Sequence, residues 1–144
     1  MNGKSVGLFT IILLLVGVFC SAGLAKLTGA PQMVEHFQEF GYSDSFRLLV
    51  GASEVAAALL LLVPRTSAAA AWILVCIMMG ATGTHLLHRE YLTAVVPLIL
   101  GALSLVVAFA RRPAALRKPY LISMHELDLL WERERQFDSI RSGR

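Results

Sequence analysis

The order of apolar and polar positions sets the picture before any motif is read. Four segments are almost continuously apolar, about residues 6–27, 46–63, 67–87 and 91–110. Each is close to the ~20 residues needed to cross a ~30 Å hydrocarbon layer. The runs lack the alternation of a barrel strand, so the pattern predicts helices. Pro64-Arg65-Thr66 and His88-Arg89-Glu90 are short enough to demand tight hairpins. The stretch from Thr28 to Ser45 is longer and has a pattern of its own. Pro31 suits a first helical position, and Met33, Val34, Phe37 and Phe40 share one face. Glu35, Gln38 and Glu39 take the other, and Gly41 ends the turn. A short amphipathic helix over 31–40, lying at the membrane surface, is the expectation.

Beyond Ala110 the chain turns polar. Arg111-Arg112-Pro113 stops the last span, and Pro119 breaks the chain again. Ser123 and Glu126 form a capping box, with Met124, Leu127, Leu130, Trp131 and Phe137 following at helical spacing. The fold class expected is therefore all-α. It is an integral membrane antiparallel four-helix bundle (residues 1–112), with an interfacial helix between spans one and two. Residues 113–144 form a cytoplasmic tail with an amphipathic helix.

Composition sharpens this without changing it. The 144 residues are 56% hydrophobic and only 16% charged, which excludes an ordinary soluble domain. The net charge of +3 comes without a basic stripe interleaved with aromatics, so nucleic-acid binding is not expected. The basic residues instead report orientation. Lys4, Arg65, Arg111, Arg112, Arg117 and Lys118 fall on one side, against Arg47 and Arg89 with Lys26 near the edge on the other. Both termini are thereby expected on the cytoplasmic face. The first apolar run is longer than a leader's h-region, so it reads as a span rather than a cleaved signal. Cys20 and Cys76 lie far apart with no C-x-x-C spacing, which disfavours a thiol relay and leaves them as small membrane hydrophobes.

Candidate chemistry lies in the ionisable residues of the apolar runs. A charge there costs about 2.5–3.5 kcal/mol on insertion scales, so something must offset it. Glu54 lies inside span two, about 12 Å from its start, and Lys26 closes span one. With His85 near the end of span three, the three can line one pocket capped by the amphipathic segment. Ser53, Thr82 and Thr84 add hydroxyls, and Tyr91 a phenol at the rim. Bland alternatives stand beside these. Lys26 can snorkel to the headgroups, His85 can be a structural hydrogen-bonder, and Glu54 can be protonated, hydrogen-bonded across helices or paired with Lys26. His85 and His88 are three apart, but only Glu54 offers a further ligand, so no metal is expected.

These residues carry a resemblance. Ser21-Ala22-Gly23-Leu24-Ala25-Lys26-Leu27, then His36-Phe37-Gln38-Glu39-Phe40-Gly41, then Gly51-Ala52-Ser53-Glu54-Val55-Ala56-Ala57-Ala58-Leu59-Leu60-Leu61 resemble, in that order, elements of the DoxX/DoxX-like family over about residues 5–110. The resemblance implies a four-helix protein of a bacterial inner membrane, in a family associated with membrane redox and sulfur metabolism. It makes Lys26 and Glu54 the polar positions, and quinone the implied cofactor, none being covalently bound. The tail from Arg111 onward departs from the minimal family pattern.

Two functions follow as expectations. One is a quinone- or lipophile-binding subunit of a redox system, with Glu54 exchanging a proton and Lys26 stabilising a developing anion, flanked by His85, Ser53, Thr82 and Tyr91. The other is a non-catalytic scaffold or assembly factor that docks a protein partner through residues 120–141. A solute or proton pathway is a weaker third, since four helices leave little room and a homo-oligomer would be needed.

Overall fold

The computed structural model describes residues 3–112 and 124–143. Among these residues every regular element is a helix. In chain order they are α1 (Gly3–Leu27), α2 (Pro31–Glu39), α3 (Asp44–Leu61), α4 (Ser67–Leu87), α5 (Tyr91–Ala110) and α6 (Met124–Ser142). The chain divides at Arg112 into two compact units, the first holding α1–α5 and the second α6.

Among the described residues, three helices are long and apolar enough to cross a bilayer: Val6–Leu27, Ser67–Leu87 and Tyr91–Ala110. The expected second span is a helix too, but a different kind. It starts and ends two residues early, at Asp44 and Leu61 rather than 46 and 63. Its start is fixed by Ser43, whose side chain accepts the Phe46 amide. Its end precedes Pro64, which disfavours helical backbone at the residue before it. Within those bounds it carries Asp44, Arg47 and Glu54, too much charge for an ordinary span. The α4–α5 turn is closed by Arg89, which adopts φ 62°, a conformation unusual for a side-chain-bearing residue.

Within the first unit, α1 packs chiefly on α3 and α4 chiefly on α5. The two pairs meet more sparsely, along α3–α4 and α1–α5. The packed core occupies only one half of this arrangement. Ile12, Leu15 and Phe19 of α1 meet Ala57, Ala58 and Leu61 of α3, with Ala70, Ala71 and Leu74 of α4 and Val107 and Ala108 of α5. The alanines let the helices approach closely, which is how helices associate where no hydrophobic force drives them together. Large apolar side chains such as Leu13, Leu14, Leu87, Leu92 and Leu98 face outward, as lipid contact requires. The half nearer α2 is built differently.

The second unit's helix exposes Leu129, Leu130, Trp131 and Phe137. Leu129 and Trp131 are two positions apart, about 200° around the helix. The apolar residues therefore do not share one face, and the helix is less amphipathic than the spacing suggested. The proposed cap at Ser123 lies outside the described residues.

Candidate functional site

The site begins at the α1–α3 crossing. A Cβ on Gly23 would lie 2.7 Å from Val55 and 2.8 Å from the Gly51 carbonyl. A Cβ on Gly51 would lie 2.8 Å from the Lys26 Cβ and 2.9 Å from the Gly23 carbonyl. Only glycine at both positions lets the backbones come this close. Lys26 and Glu54 each lie three positions beyond one of these glycines, on the same helix face. The crossing thus brings them together, and Lys26 Nζ donates to Glu54 Oε2 at 2.8 Å. Glu54 is 2% exposed and Lys26 12%.

Lys26 does not snorkel. Its ammonium turns back along α1, 3.5 Å from the Ala22 carbonyl and away from the helix end. Its own carbonyl is held by Arg47, whose guanidinium also bonds Asp44 at 3.1–3.2 Å. A buried cation here satisfies an open carbonyl at the end of α1 and opposes the helix dipole. Arg47 sits one turn into α3, so α3 projects well past the end of α1. Glu54 lies about 15 Å along α3 from Asp44, yet it meets a residue in the last turn of α1.

Above this pair the helix pairs part and enclose a cavity of about 680 Å³, well within the range of small-ligand sites. Lys26, Glu54 and Ser53 line it with Phe19, Met78, Pro97 and Leu100, so a few polar groups sit among mostly apolar walls. Pro97 lies inside α5 and cannot donate the helical bond to the Thr93 carbonyl, and both residues border the cavity. The Thr93 carbonyl thereby loses its helical partner where the helix lines a cavity, the setting in which membrane helices tolerate such a loss.

α2 closes one end. Met33, His36, Phe37 and Phe40 line the cavity at i, i+3, i+4 and i+7. Phe40 lies 5.3 Å from the His85 ring and 4.5 Å from that of His88, and His36 lies 6.1 Å from His85. His85 Nδ1 is 2.7 Å from Glu90 Oε2 across the α4–α5 turn. Tyr42 OH and Thr84 Oγ1 are 2.9 Å apart, a second tie from the α2–α3 connection to α4.

Of the residues singled out from the sequence, Lys26, Glu54, Ser53 and His85 share this cavity, together with Thr84. Ser53 spends its hydroxyl proton on the Leu49 carbonyl. Thr82 bonds the Met78 carbonyl and Tyr91 is 64% exposed, and neither lines the cavity. Sequence reasoning missed His36, Arg47 and Pro97. His36 falls on the apolar stripe of α2, Arg47 lies seven positions before Glu54, and Pro97 interrupts a span, so each left a readable trace. Cys20 and Cys76 are free thiols. Among the described residues, no three His, Cys, Asp or Glu side chains are grouped to hold a metal.

Apolar helices of spanning length and a buried ion pair beneath a largely apolar cavity define a helical membrane protein. The model of the DoxX-like family matches residues 10–107, most of the chain, and the protein belongs to that family. The match covers Lys26, Glu54, the α1–α3 crossing and α2. Neither curated proteins nor solved structures return a match.

Proposed function

We propose that the protein is a four-span bundle of a bacterial cytoplasmic membrane, both termini inside, that binds a quinone or similar lipophile as part of a membrane redox system. The observation that carries this reading is the buried Lys26–Glu54 pair lining a largely apolar cavity. An ion pair removed from water is a poor way to gain stability, so its placement against open space favours a role beyond packing. The donor set fits a quinone head. An ammonium can donate to a carbonyl oxygen, a carboxylate can take up or return a proton, and aromatic rings on α2 suit a flat ring. When bound, a quinone supplies two-electron, two-proton chemistry, and electrons would come from a separate protein or a soluble reductant. Glu54 would pass protons one at a time between water and the head, Lys26 would oppose negative charge on the ligand oxygen, and α2 would limit access of water.

The test is native mass spectrometry of the full chain extracted gently from its own membrane, beside Glu54→Gln at matched abundance. A quinone-mass adduct retained by the parent and lost in the variant is expected. No adduct in either, with the bundle intact, overturns the reading.

A second reading is favoured by the exposed Leu129, Leu130, Trp131 and Phe137 of the separate α6 unit. In it the protein is a scaffold, residues 120–141 dock a protein partner, and the ion pair fixes the α1–α3 contact. A stoichiometric protein partner, with no small-molecule adduct, is the outcome that would select it.

A further inference from the structure

The cavity is not sealed along its sides. On α3, Phe46 and Leu49 line it while remaining 42% and 62% exposed. On α4, Cys76 and Gly80 do the same, one turn apart on a single stripe. A Cβ on Gly80 would meet nothing within 4 Å. These residues border the same cavity from α3 and α4, which meet along one of the two seams where the helix pairs pack sparsely. The residues on this seam are mostly apolar, those on α4 fall within a helix long and apolar enough to span a bilayer, and the cavity they border reaches the Lys26–Glu54 pair. Towards water the cavity meets instead the α2 lid and its ring contacts with His85 and His88.

Charge narrows the ligand further. Among the described residues lining the cavity, Lys26 is the one lysine or arginine, and Glu54 matches it; Arg47, beside the site, is matched by Asp44. Among the described residues, a phosphate or a carboxylate would find no lysine or arginine lining the cavity without a carboxylate partner, and taking a charged head out of water would go uncompensated.

We infer that the α3–α4 seam is a lateral portal: the ligand is an uncharged, long-chain amphiphile that enters from the leaflet on the α2 side, its head meeting Lys26 and Glu54 and its tail lying between Leu49 and Gly80 into lipid. This rests on the lipophile-binding reading and adds the head charge, the tail and the path. Tail length is then a determinant of affinity, because each methylene held in the seam makes contacts that a tailless head forgoes.

The experiment uses the full chain in nanodiscs with a quinone whose alkyl tail ends in a photoactivatable diazirine. Its tailless counterpart and a carboxylate-headed analogue of equal tail length serve as competitors. Saturable labelling is expected on α3 near Leu49–Ser53 and on α4 near Cys76–Gly80. The tailless head should compete about tenfold less well or worse, the scale set by a few sequestered methylenes, and the carboxylate analogue less well than the neutral one. Gly80→Phe should weaken the tailed ligand and spare the tailless one. Should that variant fail to fold, the labelling map of the parent chain still decides. Labelling of Thr93 and Val96 at the opposite seam overturns the portal and leaves the site standing. Equal competition by tailless and tailed heads overturns the role of the tail, and preference for the carboxylate overturns the neutral head. No saturable labelling, with the tailless head also failing to bind, overturns the lipophile reading itself.

Discussion

At the scale of single residues, the Lys26–Glu54 pair is an interaction whose parts are costly alone. Glu54 is nearly fully buried, and its carboxylate accepts from the ammonium at 2.8 Å. Removing one partner leaves a buried group uncompensated, whereas replacing both can be close to neutral. Lys26→Met is therefore expected to destabilise by about 3–5 kcal/mol. The double variant Lys26→Met/Glu54→Leu should recover most of that loss. Reversible unfolding in mixed micelles measures both, and additive losses in the double variant would show that the pair is not coupled. The sequence made these residues conspicuous because each is an ionisable group in or at the end of an apolar run. It left their pairing open because pairing depends on the Gly23–Gly51 approach, a tertiary fact. Thr82 and Tyr91 misled for a related reason: position along a span gives height, while rotation about the helix decides which side chains face the cavity.

At the scale of elements, α2 shows what periodicity can and cannot reveal. The helix is legible from Pro31, the i, i+3, i+4 stripe and the closing glycine, and it spans Pro31–Glu39. Its covering role was legible as well, since the apolar face needed something to lie on. What the stripe concealed is that His36 belongs to it and that Phe40 is the hinge of the ring cluster with His85 and His88. α2 contacts α1 and α3 through few backbone approaches, so these rings are a large share of what holds it over α4. Aromatic pairs contribute about 0.5–1.5 kcal/mol each beyond burial. Phe40→Ala should raise local opening of residues 31–40 by about tenfold or more. Hydrogen exchange read by mass spectrometry would show this as lost protection confined to α2, with α4 and α5 unaffected. Unchanged exchange would mean that the Tyr42–Thr84 tie suffices to hold the lid. α3 is the complementary case: hydropathy suggested a span like the others, while the helix that forms carries Asp44 and Arg47 in first turns that stand beyond the end of α1, and Glu54 deeper, at the crossing with α1.

At the scale of the whole molecule, the first unit holds its own core, its own charge pairs and the entire cavity. Ile12, Leu15, Leu61, Leu74 and Val107 find their partners within α1–α5, and so do Lys26, Arg47 and His85. The family match ends at residue 107, close to the boundary at Arg112. A chain ending at Arg112 is therefore expected to fold and to keep its stability within about 0.5 kcal/mol, the range of changes away from packed features. The two tryptophans make the measurement direct. Trp131 leaves with α6, and Trp72 remains, packed edge-on against Phe109 at 5.6 Å, as the only tryptophan reporting on α4 and α5. Thermal melts followed by its fluorescence should coincide with those of the full chain after the Trp131 contribution is subtracted. If the quinone reading holds, the shortened chain should also retain the adduct. If the scaffold reading holds, it should lose its protein partner without any change in the melt. A truncated chain that melts early would instead mean that α6 stabilises the bundle.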